Sequence, residues 1–390
     1  MWPRYATVAD LARAYWPVMA CALTASALAT PLCRRLALRF NVVDRPDDWL
    51  KPHHQPIPYL GGVAIFLGWA TGILVAMALF QPHDPQGYPT GRPTYYPLRL
   101  TGVLLGGFAV TALGLFDDLR LASPRFKLIG GTLIAVALML FGVGRHVFTN
   151  LLQSVGVHSL DLSMWWTIAY SAPVTILIVL GAINATNLID GMDGLCSGVL
   201  AIIAAGFLVL AAHMHVYGDW LPLDTHRVVE SLAIMGAALG FLPYNRNPAK
   251  IFMGDAGSML LGLNAAVMLI SFTSSHGLRW ILGSMMVFGL PIADMVLTLV
   301  RRWRHQKPLM MGDRSHFYDQ LIDRGWPVRR VVRTSYALAA IFALLGCSAI
   351  FIRIRYLIPM YSLFVLGLIA IVVRMGMVCV DDPRGDPDKV

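Results

Sequence analysis

The chain has 390 residues, of which 57% are hydrophobic and only 14% charged, and its net charge is +9. With a mean hydropathy of +0.62, a water-soluble globule of this composition would carry large exposed apolar patches, so a soluble enzyme is excluded. The surplus of Lys and Arg does not signal nucleic acid either, because it lies between apolar blocks of membrane-spanning length.

Those blocks predict an all-α, polytopic integral membrane protein of about eleven helices. They fall near residues 14–33, 60–80, 98–116, 127–144, 165–183, 197–213, 229–243, 256–275, 280–300, 334–352 and 357–378. The seventh and ninth are the least regular, since both contain or abut Gly, Pro or an ionisable residue. Only Arg4 and Arg13 precede the first block, so it reads as an uncleaved helix, with Ala27–Ala29 as the alternative signal-peptide cleavage site. With eleven spans, one membrane face receives 22 of the 31 basic residues. The positive-inside rule makes that face cytoplasmic, with the N-terminus outside and the C-terminus inside. One domain is expected over residues 1–380, followed by a polar, disordered tail at 381–390. Five cysteines with no CxxC pair suit packing, not zinc or a disulfide framework.

Five polar clusters share the basic face. The first is the Pro-rich stretch Asp44 to Gly62, where Lys51 can meet a phosphate as a point charge or simply belong to a basic loop. Asp117 and Asp118 then end the third block and Lys127 opens the fourth. Adjacent carboxylates repel, so either one binds a proton more tightly or a shared cation holds both ionised. The richest cluster is NATNLIDGMDGL, Asn184 to Leu195. Asn184, Asn187 and Asp190 are spaced to share one side of a helix, while Gly191 and Gly194 around Asp193 allow a turn and a close ligand approach. Four carboxylates and carboxamides with two glycines in twelve positions favour a binding site over a plain polar helix end.

Next, Asp255 stands in a Met-Gly-Asp-Ala-Gly-Ser turn opening the eighth block. It is either a helix N-cap or a magnesium ligand with backbone amides free for phosphate oxygens. Phe252, just before it, either packs or stacks on a base. Last, Asp294 lies within an apolar block seven residues before Arg301, an ion-pair spacing of about two turns. Arg314 and His316 follow in the largest basic loop, able to clamp a diphosphate.

Several carboxylates and cations at one membrane face suit a magnesium-bound diphosphate, and a reaction between a soluble nucleotide and a lipid phosphate at headgroup depth. No Walker loop, GxSxG elbow or HExxH is present. A transporter or flippase would spread polar residues through the spans and toward both faces. The Asp-Gly-x-x-Ala-Arg start of a CDP-alcohol phosphotransferase is missing.

NATNLIDGMDGL, the Asp117–Asp118 pair, IFMGDAGS and LPIAD…RRWR…DRSHFYDQL together resemble the polyprenyl-phosphate N-acetylhexosamine-1-phosphate transferases, from about Asp44 to Trp326. The resemblance implies ten or eleven helices around a cytoplasmic cleft in a bacterial inner membrane. It implies transfer of a sugar-1-phosphate from a UDP-N-acetylhexosamine to undecaprenyl phosphate, with release of UMP. The implied cofactor is magnesium, with manganese as the alternative ion, and a homodimer is left open. By the same resemblance Asp255 would be the metal ligand, Asp117 the candidate base with Asp118 beside it, and Asn184, Asn187 and Asp190 the lining of the reaction centre. Gly191, Asp193, Asn245 and Phe252 would shape the nucleoside pocket, and Lys51 and Lys127 would serve phosphates. The chain is closer to the branch that initiates O-antigen or teichoic-acid chains than to the phospho-muramoyl-pentapeptide branch. It departs at one point: the pattern His-x-His-His is here His316, Phe317, Tyr318, Asp319.

Overall fold

In the computed structural model, helices account for nearly all of the regular structure. It describes residues 7–44, 56–79, 95–120, 122–157, 162–218, 222–274, 277–306 and 316–379. Lys51, Arg314 and the tail at 381–390 lie outside the described residues. In chain order the helices are α1 (Val8–Arg39), α2 (Gly61–Leu79), α3 (Tyr95–Arg120), α4 (Pro124–Leu140), α5 (Val147–Ser154), α6 (Met164–Ile189) and α7 (Leu195–Tyr217). They continue with α8 (Pro222–Asn245), α9 (Gly254–Thr273), α10 (Leu278–Val287), α11 (Gly289–Arg304), α12 (Phe317–Asp323), α13 (Val328–Cys347) and α14 (Ile354–Arg374). Two short strands, β1 (Val43–Asp44) and β2 (Ile57–Pro58), pair antiparallel.

All eleven predicted blocks are helical, but the count of eleven spans is not reproduced. Among the described residues nine helices are long and apolar enough to cross a membrane, and ten if α10 and α11 form one broken span. The helix α4, with 17 residues, sits at the short limit for crossing. The ninth block breaks at Phe288, where α10 and α11 meet at 72°. Pro291 has no N–H to continue the helical ladder across that junction, and Gly289 brings α11 against the Phe342 ring.

The helix α9 is the core. Every residue from Gly254 to Thr273 is buried except Asp255 and Leu269, as expected of a helix that is apolar on all sides. Its neighbours are α6, α3 and α2, and small residues set the approach. A Cβ on Gly114 would lie 2.5 Å from the backbone of Asp255 and Ala256, so α3 can meet the start of α9 only with glycine there. Outer helices present Leu177, Leu363 and Leu366, each more than half exposed, as lipid-facing side chains do. The protein is thus a multi-pass membrane protein. Trp165, Trp166 and Tyr170, exposed at the start of α6, form an aromatic edge at the end opposite the site. The five cysteines are unpaired.

One feature of the far end has no counterpart in the sequence reading. Arg227, fully buried, pairs with Asp224, donates to the Ser271 carbonyl and lies 5.1 Å from the Phe272 ring centre. Nearby in the same bundle half, the Trp69 indole donates to Glu230 at 3.2 Å. We expect Arg227→Met to cost about 3–5 kcal/mol, because it takes the guanidinium from a buried carboxylate. Thermal unfolding in detergent checks this, with Asp224→Asn/Arg227→Met losing less than Arg227→Met alone. A double-variant loss equal to the sum of the Asp224→Asn and Arg227→Met losses would mean that the two groups are not coupled.

Candidate active site

Four helix ends converge on one face of the bundle: the ends of α3 and α6 and the starts of α4 and α9. Each end is sharply made. Ser123 caps α4, accepting from the Phe126 amide at 3.3 Å, with Pro124 in the first turn. The helix α7 begins after Gly194, whose φ of +76° is the left-handed turn. The first amides of α2, those of Gly61 and Gly62, donate at 2.9 Å to the carbonyls of Phe252 and Met253, and the Phe252 amide donates to Pro58 at 2.9 Å. The stretch before α2 is therefore stitched to the stretch before α9.

At the centre, the Lys127 ammonium bridges one oxygen of Asp117 and one of Asp255. The other oxygen of Asp255 accepts from the Asn187 carboxamide at 2.8 Å, which also lies 3.0 Å from the Ser258 hydroxyl. Asp118 behaves differently from its neighbour. Its two oxygens accept from the backbone amides of Asp255 at 2.8 Å and Ala256 at 3.1 Å. Asp118 thus caps α9 from another helix, and the amides expected to be free for phosphate oxygens are taken by it. Gly254, at φ +66°, is required because a Cβ there would press on the Asp118 carboxylate at 2.5 Å. The adjacent pair is divided: Asp117 faces the cation and Asp118 holds the backbone that carries Asp255.

Asp190 ends α6, its amide donating to the Asn187 carbonyl at 3.1 Å. Burial first, then the nearby carboxylates of Asp255, Asp118 and Asp193, hold its carboxyl well above the usual carboxylate range. Tyr59, which the sequence reading did not single out, stands in the same field. Burial and the carboxylates of Asp118, Asp255, Asp190 and Asp44 push its phenol up, so it stays a neutral donor. Its ring meets Phe252 edge to face, with centres 6.1 Å apart. Nothing in the composition of the Pro-rich stretch marks a tyrosine as special.

Other expected residues have structural partners. Asn184 is exposed and donates to the Leu180 carbonyl at 2.7 Å, so it does not join the hydrogen-bonded cluster of Asn187. Asp193 accepts from the Asn247 carboxamide and the Ala249 amide, each at 3.0 Å. Asn245, 3% exposed, accepts from the Gly194 amide and the Ser197 hydroxyl, both at 3.1 Å, and donates to the Ile251 carbonyl at 3.1 Å. Asn245 and Asp193 therefore tie the turn before α7 to the stretch before α9. His316 is buried, its Nδ1 2.9 Å from Asp294 and 3.2 Å from the Thr298 hydroxyl. The expected Asp294–Arg301 pair is replaced, since Asp294 takes His316 and the Phe317 amide at 3.1 Å. Seven residues along a helix separate side chains by about 10 Å, whereas α12 folds back to within contact.

Comparison with known proteins gives this geometry a lineage. A family model described as glycosyl transferase family 4 matches residues 100–273, which hold Asp117, Asp118, Lys127, Asn187, Asp190 and Asp255. The probable undecaprenyl-phosphate N-acetylglucosaminyl 1-phosphate transferase of Bacillus subtilis (strain 168) is 30% identical over 89% of this chain and 87% of its own. The decaprenyl-phosphate N-acetylglucosaminephosphotransferase of Mycolicibacterium smegmatis is 32% identical over 92% of this chain and 86% of its own. The phospho-N-acetylmuramoyl-pentapeptide-transferase of Bacillus subtilis is 31% identical but covers 82% of this chain and 92% of its own length. The first kind of relative thus accounts for more of this sequence than the second. The chain belongs to glycosyl transferase family 4 and is a glycosyl-1-phosphate transferase.

Proposed function

We propose that the protein transfers N-acetylhexosamine-1-phosphate from a UDP-sugar to a polyprenyl phosphate such as undecaprenyl phosphate, initiating a cell-envelope polysaccharide. The observation that carries this reading is the Asp117–Lys127–Asp255 bridge at the meeting point of four helix ends. In the reaction an oxygen of the lipid phosphate attacks the sugar-bearing phosphorus. The bond from that phosphorus to the bridging oxygen breaks, and UMP leaves with the electron pair. The attacking phosphate is already largely anionic at neutral pH, so Asp117 need only orient it or take its remaining proton.

A divalent cation fits the residues present. Two carboxylates already converge on one positive charge, the Lys127 ammonium, and magnesium keeps several waters and needs only one or two carboxylates. No group of three or more His, Cys, Asp or Glu side chains suited to a metal occurs among the described residues. Asp255 would hold the ion, with Asp117 beside it, and the ion would neutralise charge on the diphosphate. Asn187 fixes the Asp255 carboxylate and Asp118 fixes its backbone, so both act as positioning residues. Lys127, which is the counter-cation of both carboxylates here, would then serve phosphate oxygens.

We read the site and the C-terminus as cytoplasmic, since the eleven-block reading of the sequence assigns 22 of the 31 basic residues to that face. One experiment tests substrate and sidedness together. Membrane vesicles holding the protein and undecaprenyl phosphate are given magnesium and a panel of UDP-sugars, beginning with UDP-N-acetylglucosamine, the sugar in the names of the first two relatives. UMP is expected from inside-out vesicles and not from sealed right-side-out ones. No UMP with any sugar would sink the substrate reading, and release only from right-side-out vesicles would invert the topology. UMP with UDP-N-acetylmuramoyl-pentapeptide alone would place the chain with the third relative.

A further inference from the structure

The departure at His316 to Asp319 builds a strut across the site. The helix α12 starts from His316, anchored on Asp294, and Asp319 closes its first turn by accepting from the His316 amide at 3.3 Å. From this base Tyr318 reaches the end of α6. Its hydroxyl donates to the Leu188 carbonyl at 2.7 Å, one of the last carbonyls of a helix, which have no partner within it. Its ring stacks on His316 with centres 5.3 Å apart and 14° between planes. The residue is 2% exposed. The same ring and hydroxyl fill the space beside Gly191, where any Cβ would overlap the Tyr318 hydroxyl. Gly191 has no left-handed backbone, so glycine is required there for this contact and not for a turn.

Leu188 and Gly191 bracket Asp190, and Asn187 precede them by one residue or more on the same helix end. Building on the transfer reaction above, we propose that Tyr318 is a positioning residue that locks the end of α6 and thereby fixes Asn187 and Asp190 toward Asp255. The phenol is suited to a permanent donor, because burial and the carboxylates of Asp319, Asp294 and Asp190 keep it protonated. Tyr318 and Asp319 stand where the resembling pattern has histidines, so in this chain those two places serve architecture.

The test is a cycle on the full-length protein. Tyr318→Phe keeps the ring and removes the hydroxyl. We expect kcat for UMP release to fall about tenfold, the loss expected for one buried hydrogen bond, with KM for the UDP-sugar changed less than about threefold. A purely structural tyrosine would lower the unfolding temperature and leave kcat per folded enzyme alone. Gly191→Ala is expected to lose about 100-fold in the wild-type background. In a Tyr318→Leu background, where the colliding atoms are gone, the same change should cost less than about threefold. Unchanged kcat in Tyr318→Phe, or the same Gly191→Ala factor in both backgrounds, overturns the proposal. The cycle is also read in unfolding temperature, so a wild type that released no UMP would fail the substrate reading while additive temperatures would still overturn the contact.

Discussion

Asp255→Asn is expected to lower UMP release by about 10³-fold or more while leaving the fold intact. The size follows from the place of the carboxylate. It shares Lys127 with Asp117 on one oxygen and takes Asn187 on the other, and it is the residue proposed to hold the cation. Loss of one preorganised group that stabilises developing charge, such as an oxyanion-hole donor, costs about 10²–10³ in rate, and loss of the ion would add to that. The fold should survive because the α9 cap uses the backbone amide of Asp255, which the substitution keeps. An unfolding temperature within about 3 °C of wild type is expected in the absence of magnesium. Magnesium should raise that temperature in the wild type and not in the variant. Wild-type turnover in Asp255→Asn would remove this residue from the reaction centre.

The parts of the site that the sequence made legible are those set by membrane physics. Apolar block length gave the helices, and the parity of the blocks brought Asp117, Lys127, Asn187, Asp190 and Asp255 to one face. What pairwise spacing could not resolve is which neighbour each group meets. Asp117 and Asp118 are adjacent in sequence, yet one faces Lys127 and the other caps a helix 137 residues away. Asn184 and Asn187 share a helix side by periodicity, but Asn187 reaches Asp255 while Asn184 folds back onto its own helix. The partner of Asp294 was missed for the same reason, since a local i,i+7 spacing suggested Arg301 and a returning helix supplied His316. The α10–α11 break was foreshadowed by Gly289 and Pro291, but its 72° angle depends on packing against α13, which no local pattern encodes.

Asp118→Ala should separate positioning from chemistry, because it attacks the frame and not the charge that faces the substrate. Removing both oxygens strips the cap from the amides of Asp255 and Ala256. Loss of a cap costs about 0.5–2 kcal/mol and an unsatisfied buried amide about 1–3, so a total of about 2–4 kcal/mol in stability is expected. The start of α9 would then shift, and a displacement of about 1 Å at a reacting centre costs about 10²-fold in rate. Asp118→Asn keeps one acceptor oxygen and one of the two amide bonds, so both its stability and its kcat should fall between wild type and Asp118→Ala. The diagnostic is the covariation: across the Asp118 series unfolding temperature and kcat drop together, whereas at Asp255 kcat collapses alone. If Asp118→Ala lost activity with no loss of stability, Asp118 would act on the substrate directly and the division of labour within the pair would be wrong.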